Sequence, residues 1–398
     1  MRCTGTTVRG IRMPIVRKGD NLINIITEYL LLAAENEPFQ FKDRDVVGVT
    51  ESFFARSQGN IVSTDDVAED ISRKIPEGDI AVAFPILSRN RFMPMLRGIV
   101  KGVPAPRKIR IYMSYPSDEV GNHIIDPAFF YERESSLTAD CFDESTWENT
   151  FGRHMHAFTG IDYVDLYRSP DPERIEFWFT NNPLDILKRD RSVIIASIHA
   201  RALHRKVLSK GGAGWLCDLT EFCNVPIREG GGYNPDYGLL GSNYSSDSAL
   251  KLFPRDCKTF AENLQAALLR ETGKNMQVLV YGDGAFKDPV CGIWELADPV
   301  VSPGYTDGLE GTPSEIKLKL VADSAENATA GEARKAVSLA IEGKRGAEQA
   351  KDAKLSLGTT PRRYSDLIGS LCDLTSGSGD KGTPVVLISG YFDSYIDD

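Results

Sequence analysis

DVVGVTESFFARSQGNIV, residues 45–62, sets an apolar run directly against a cluster of polar tips. The segment KDRDVVGVT shows no polar alternation after Asp45, so it reads as a strand covered on both faces and ending near Thr50. An acid, a hydroxyl and a guanidinium follow at Glu51, Ser52 and Arg56, around Phe53 and Phe54, and the run closes on Gly59. The two rings suit a core, and the polar tips stand beside them at the strand's end.

Outward from this stretch the elements are mixed. Asp20 can cap a helix in which Leu22, Ile23, Ile25, Ile26, Tyr29 and Leu30 recur at helical spacing. Asp65 to Ile75 is a second helix, stopped by Pro76, and Ile80 to Leu87 a strand. RKIRIYMSY and PERIEFWF read as strands, and DRSVIIASIHARALHRKVL as a strand turning into a helix. CKTFAENLQAALLRETGK is helical, with Phe260, Leu264, Ala267 and Leu268 on one face and Gly273 as its stop. MQVLVY is a strand ending at Gly282–Asp283–Gly284. The Ala-, Glu- and Lys-rich stretch from Ser324 to Lys354 is an exposed helical excursion. Tyr364 to Leu374 is a helix, SGSGDKGTP a loop and VVLISGY a last strand. There is no internal repeat and no regular βαβ rhythm. The expectation is therefore an α+β protein of mixed sheets with flanking helices, two-lobed, and neither a Rossmann nor a P-loop fold.

Composition bounds the function. The chain has 398 residues, 41% apolar and 26% charged, which is ordinary for a globular protein of two or three domains. A formal charge of −10 argues against a generic nucleic-acid backbone binder, though not against a local pocket for a small anion. Seven cysteines without a CxxC suggest neither a disulfide framework nor a thiolate zinc site, and reduced thiols point to a cytoplasmic setting. MRCTGTTVRG lacks the apolar core of a secretory signal, and no run approaches 18 apolar residues, so no membrane association is expected.

Two local patterns carry possible chemistry. Gly377-Ser378-Gly379-Asp380-Lys381-Gly382 matches GxGxxG, but a helix precedes it and a strand follows, the reverse of a dinucleotide fingerprint. Its glycines and Lys381 suit a phosphate cradle; a plain surface loop is the competing reading. Asp283, at a strand's end between glycines, could ligate a hard metal or simply bond its own turn. The histidines (His123, His154, His156, His199, His204) form no HExxH, and no GxSxG elbow is present.

Five segments, in order, give the chain a resemblance. VRGIRMPIVRKGDNL, DVVGVTESFFARSQGNI, YGLLGSNYSSD, ETGKNMQVLVYGDG and YSDLIGSLCDLTSGSGDKGTPVVLISGY are similar to segments of the coenzyme F-420-0:gamma-glutamyl ligase family. The resemblance divides the chain into a ligase-like nucleotide-binding core, residues 1–80 plus 229–398 with an insertion at about 312–360, and an enlarged middle region, 81–228, suited to a substrate or partner.

The family implies a GTP- (or ATP-) and Mg²⁺- or Mn²⁺-dependent ligase joining L-glutamate to a small acid, cytoplasmic and homodimeric. Carried over residue by residue, its nucleotide contacts fall on Met13, Pro14, Ile15 and Val16, on Glu51, Ser52 and Arg56, on Asn243, and on Ser376, Gly377, Ser378, Gly379, Asp380, Lys381, Gly382 and Thr383. Arg56, Asp283 and Lys381 are then the catalytic set, with Asp283 and Asp380 the metal ligands. The family's metal-binding aspartate before the asparagine is Leu240 here. The position after Asp283 is Gly284, its last-loop acidic ligand falls on Ser378, and its arginine-rich stretch reads GAFKDP. These departures leave three readings: an amide ligase, a nucleotide-binding protein of the same fold without ligase activity, and an interaction protein built on the middle region.

Overall fold

The computed structural model describes residues 4–135, 137, 139–156, 160–282, 286–287, 294–295, 303–311, 313, 329–346, 363–377 and 379–394. The chain begins with β1 (Thr7–Ile11), α1 (Leu22–Asn36), β2 (Val46–Thr50), α2 (Glu51–Gln58), β3 (Ile61–Ser63) and α3 (Thr64–Lys74). The middle region holds β4 (Ile80–Ala83), α4 (Phe92–Gly102), β5 (Ile109–Met113), α5 (Pro127–Glu134), β6 (Cys141–Asp143), α6 (Glu144–Phe151) and α7 (Tyr163–Arg168). It continues through β7 (Ile175–Thr180), β8 (Ser192–Ile195), α8 (Arg201–Lys210) and β9 (Trp215–Asp218). A hairpin of β10 (Asn243–Ser246) and β11 (Ala249–Lys251) precedes α9 (Cys257–Thr272) and β12 (Gln277–Tyr281). The short β13 (Phe286–Lys287), β14 (Trp294–Glu295) and β15 (Gly304–Tyr305) follow, then helices Ala330–Gly346 and Tyr364–Thr375, and β16 (Val385–Ser389).

Local chemistry sets the boundaries. Asn21, rather than Asp20, caps α1 by accepting from the Asn24 N–H at 3.2 Å, while Asp20 accepts from the Arg17 N–H at 2.7 Å. Ser63 and Asp66 form a reciprocal capping box at the start of α3. α9 ends on Gly273 in the left-handed region, as its sequence implies. β4 stops four residues short of the expected Leu87, because Phe84 turns to φ +54° and Pro85 follows. The helical excursion is helical from Ala330 to Gly346; its remaining residues lie outside the described ones.

The first sheet has the order β1-β16-β2-β12-β15, with β2 and β12 parallel and the other pairs antiparallel. β2 lies at its centre. Val47 and Val49 pack with Ile26 and Leu30 of α1 and Phe260 and Leu264 of α9, whereas Val46 packs with Ile368 and Cys372 beyond the other face. Burial on both sides is why the strand shows no polar alternation. Gly48 leaves room for Cys372: a Cβ there would overlap the Cys372 Sγ and approach the Tyr281 ring at 3.2 Å. Gly48→Ala is expected to destabilise the protein by about 1–3 kcal/mol in urea unfolding. Adding Cys372→Ala should recover most of that loss, and strictly additive losses would refute the packing argument.

The second sheet has the order β6-β7-β5-β4-β8-β9, parallel throughout except for β6 against β7. Taken in chain order, its five parallel strands lie 3-2-1-4-5, the order of a doubly wound sheet, with the switch point between β4 and β8. Mixed sheets with flanking helices are thus present as expected. The expected lack of βαβ rhythm does not hold for this region, where α5, β6, α6 and α7 all fall between β5 and β7 and obscure it. A small third sheet, β10-β11-β3, contributes Val62 and Leu250 to the same apolar cluster as Val82, Phe92 and Leu96 of the middle region.

Candidate functional site

Four strand ends converge on one edge of the first sheet. Ile11, the end of β1, pairs with Val385, the start of β16; Val385 pairs with Val49; and Thr50 pairs with Tyr281, the last residue of β12. Backbone bonds carry the convergence into the loops. The Met13 N–H donates to the Gly382 carbonyl at 2.9 Å, and the Thr50 N–H to the Pro384 carbonyl at 2.9 Å. Segments from both ends of the sequence therefore meet, with Tyr281 and Gly282 beside them.

Each segment is fixed by an identifiable anchor. In the 13–16 turn Val16 is buried, Met13 and Pro14 half-buried, and Ile15 exposed. The Gly19 N–H donates to the Ser57 carbonyl at 2.9 Å, docking the end of this turn on α2. α2 begins on Thr50, whose hydroxyl accepts from the Phe53 N–H at 3.3 Å, and ends on left-handed Gly59. Phe53 and Phe54 are buried, and Phe54 stacks on Phe260 of α9 with centroids 4.0 Å apart, so the anchoring role read from the sequence holds. Ser52 is half-buried, and Arg56 is exposed on the last turn.

Glu51 is buried and meets a partner that the sequence reading missed. Its Oε1 accepts from the Lys251 Nζ at 2.8 Å, with both side chains largely shielded from solvent. Lys251 in β11 is the cross-strand partner of Asn243 in β10, so the two side chains share one face of the hairpin. The hairpin register thus brings Asn243 beside Lys251, the partner of Glu51. The only local hint was a lysine set in the apolar run ALKLF.

The glycine-rich loop is a closed turn. Gly377 and Thr383 exchange backbone bonds at 2.7 and 3.3 Å, and the Gly382 N–H donates to the Gly379 carbonyl at 3.1 Å. The Lys381 stem folds across Gly377, where a Cβ would come within 2.7 Å of the lysine Cδ. Ser376 and Thr383 are half-buried, while Gly379, Asp380 and Lys381 are exposed at the tip. The bonded amides of 377, 382 and 383 are spoken for, which leaves the tip as the face that can receive an anion.

Leu240 is fully buried among Leu239, Leu250 and Leu252 and offers no oxygen to a cation. Asp283, Gly284 and Ser378 lie outside the described residues. Among the described residues no group of three or more His, Cys, Asp or Glu could hold a metal ion. The histidines have other tasks: His154 bonds the Phe151 carbonyl at 2.6 Å, and His204 Nδ1 lies 2.8 Å from the Ser197 hydroxyl. His199 precedes α8 rather than sharing it with His204.

The same hairpin meets the loop after β4 and helix α4 of the middle region. The Tyr244 N–H donates to the Asn90 carbonyl at 2.8 Å, and Arg97 Nη1 to the Asp247 carbonyl at 3.0 Å. Gly241 and Ser242 close a small cavity against Ile86, Arg91, Ala196 and Ile198, beyond the carboxyl ends of β4 and β8. Sheets of this order ordinarily receive ligands there. Here the space is taken up by the segment that carries Asn243.

Comparison with protein families points to a ligase class. The model of the family described as F420-0:Gamma-glutamyl ligase matches residues 10–390, and the chain belongs to that family. No curated protein matches the chain.

Proposed function

We propose that the protein is a nucleotide- and metal-dependent γ-glutamyl ligase that joins L-glutamate to a small carboxylate-bearing metabolite. The meeting of the 13–16 turn, the start of α2, the Asn243 hairpin and the 376–383 loop on one edge carries this reading. GTP, or ATP, lies along that edge, with Arg56 and Lys381 as fixed positive charges and Glu51, Ser52 and Asn243 as polar contacts. The γ-phosphoryl group passes to a carboxylate oxygen of the acceptor, and the nucleoside diphosphate leaves. The glutamate amine then attacks the acyl carbon, loses a proton and expels phosphate. Such transfers depend on positioning and charge neutralisation more than on covalent help from the protein.

Mg²⁺ or Mn²⁺, drawn to Asp283 and Asp380, supplies Lewis-acid charge neutralisation when bound. The described residues alone do not assemble its donor set, since Leu240 is apolar and Glu51 is matched by Lys251. The acceptor is the coenzyme F-420 precursor or a folate-like acid, with the middle region, 81–228, shaping its choice. The protein works in the cytoplasm as a homodimer, without nucleic-acid or membrane partners; no described helix is long and apolar enough to cross a membrane.

The test is glutamylation itself. Incubation with L-glutamate, GTP or ATP, Mn²⁺ and each candidate acid should yield a product larger by one glutamyl residue in mass spectrometry, together with stoichiometric nucleoside diphosphate. Buried Leu240 favours a second reading, a nucleotide-binding protein of this fold without ligase activity. It predicts saturable nucleotide binding with no turnover on any acid.

A further inference from the structure

Asn243, one of the polar contacts of the proposed cleft, has its side chain oriented from the middle region. The Tyr244 N–H donates both to the Asn90 carbonyl and to Asn243 Oδ1, each at 2.8 Å. One shared N–H therefore ties the Asn243 amide oxygen to the turn between β4 and α4, and the amino group is the end it offers to a ligand. That turn is closed from within. Ser88 Oγ accepts from the Arg91 N–H at 3.1 Å, and the Ser88 carbonyl accepts from the Met93 N–H at 3.2 Å. Asn90 lies between the bonded ends, so the place of its carbonyl follows from how Ser88 is held.

Ser88 is held by Tyr167 of α7. The Tyr167 hydroxyl accepts from the Ser88 N–H at 2.8 Å and donates to the Ile86 carbonyl at 2.7 Å, so one side-chain atom fixes two backbone groups of the turn. Leu87, between them, donates its N–H to Asp118 Oδ2 at 2.8 Å, so loss of the hydroxyl loosens the turn without freeing it. Tyr167, Ile86 and Ser88 are all buried. The Tyr167 ring meets Phe92 edge to face with centroids 5.1 Å apart, a contact that phenylalanine would make equally well. The hydroxyl is different, because burying it is costly unless it is bonded, and its bonds go to this turn. We propose that Tyr167 is a positioning residue for the nucleotide site, its hydroxyl setting the 86–91 turn whose Asn90 carbonyl orients Asn243. The inference rests on the reading that Asn243 contacts the nucleotide. It goes beyond that reading by giving the middle region a part in nucleotide binding, in addition to the choice of acceptor.

The test is a double-mutant cycle on the full-length protein, with Tyr167→Phe, Asn243→Ala and both together, read as dissociation constants for GTP and for ATP, each with Mn²⁺. Asn243→Ala is expected to weaken binding roughly tenfold, as for loss of one hydrogen bond to the ligand. Tyr167→Phe should weaken binding roughly fivefold in the wild-type background and by less than about twofold in the Asn243→Ala background, where no amide remains to be oriented. A merely structural role would lower the Tm of Tyr167→Phe and leave its dissociation constant unchanged, or change it by the same factor in both backgrounds. Either result overturns the inference. Should Tyr167→Phe not fold, Ser88→Ala, which opens the same turn at its Arg91 bond, enters the cycle in its place with the same expected dependence on Asn243, and equal factors in both backgrounds overturn the inference there too. Wild-type protein that binds neither nucleotide, or an Asn243→Ala variant that binds like the wild type, overturns the nucleotide reading itself, so the two failures are told apart.

Discussion

Asp190→Ala is expected to cost about 3–5 kcal/mol in urea unfolding, because it removes a buried charge from a network that leaves its partners behind. Arg110, on the central strand β5, donates from Nη1 to Asp190 at 2.7 Å, from Nη2 to Asp79 at 2.8 Å and from Nε to Glu176 at 3.0 Å. The Tyr112 hydroxyl donates to the second Asp190 oxygen at 2.6 Å. Tyr112 is fully buried, and its burial, followed by the bond to Asp190, raises the phenol well above its ordinary range, so it remains a donor. Without Asp190 the phenol has lost its acceptor and the guanidinium its most buried counter-charge. Asp190→Asn keeps an acceptor for Tyr112 and should cost about half as much. Glu176, with 40% of its side chain exposed, is the control: Glu176→Ala should change stability by less than about 1 kcal/mol. Equal losses for Asp190→Ala and Glu176→Ala would show that burial does not govern this network.

Asp283→Ala is expected to abolish turnover, a loss of roughly 100-fold or more, if this carboxylate draws the metal that absorbs charge during phosphoryl transfer. Asp283 follows Tyr281 by two residues in the sequence, and Tyr281 pairs in register with Thr50 at the threshold of α2. The substitution separates two functions that activity alone merges. Nucleotide binding itself should be retained, whereas the additional stabilisation by Mn²⁺ should vanish. Full Mn²⁺-dependent stabilisation in the variant would remove Asp283 from the metal site.

The parts of this architecture that were legible in the sequence are those decided by local patterning. The two-sided burial of β2 shows in its unbroken apolar run, and the anchors Phe53 and Phe54 show in their place directly after a strand. Gly273 marks the end of α9 because a left-handed residue is needed there. Adjacent capping types were less decisive: Asp20 and Asn21 can each accept a backbone N–H, and only the actual turn geometry gives one the helix and the other Arg17. The doubly wound order escaped because a long excursion separates β5 from β7, and spatial order is a property of the sheet rather than of any segment. Lys251 escaped for a related reason. Its meaning lies in an ion pair with a residue far away in the chain, and in a hairpin register that no local pattern prints. Asp283 and Ser378, read from the resemblance, fall outside the described residues and remain part of the proposal.

The position of β16 imposes an order on biosynthesis. It is made after every other described strand, yet it lies between β1 and β2, both made much earlier. Until it emerges, β1 has no described strand beside it and is not joined to β2, whose other partner is β12. The β4-to-β9 sheet draws all its strands from one uninterrupted stretch and can assemble while translation continues. A nascent chain therefore carries an organised centre flanked by an unfinished start, and the first sheet closes only when β16 takes its place between β1 and β2.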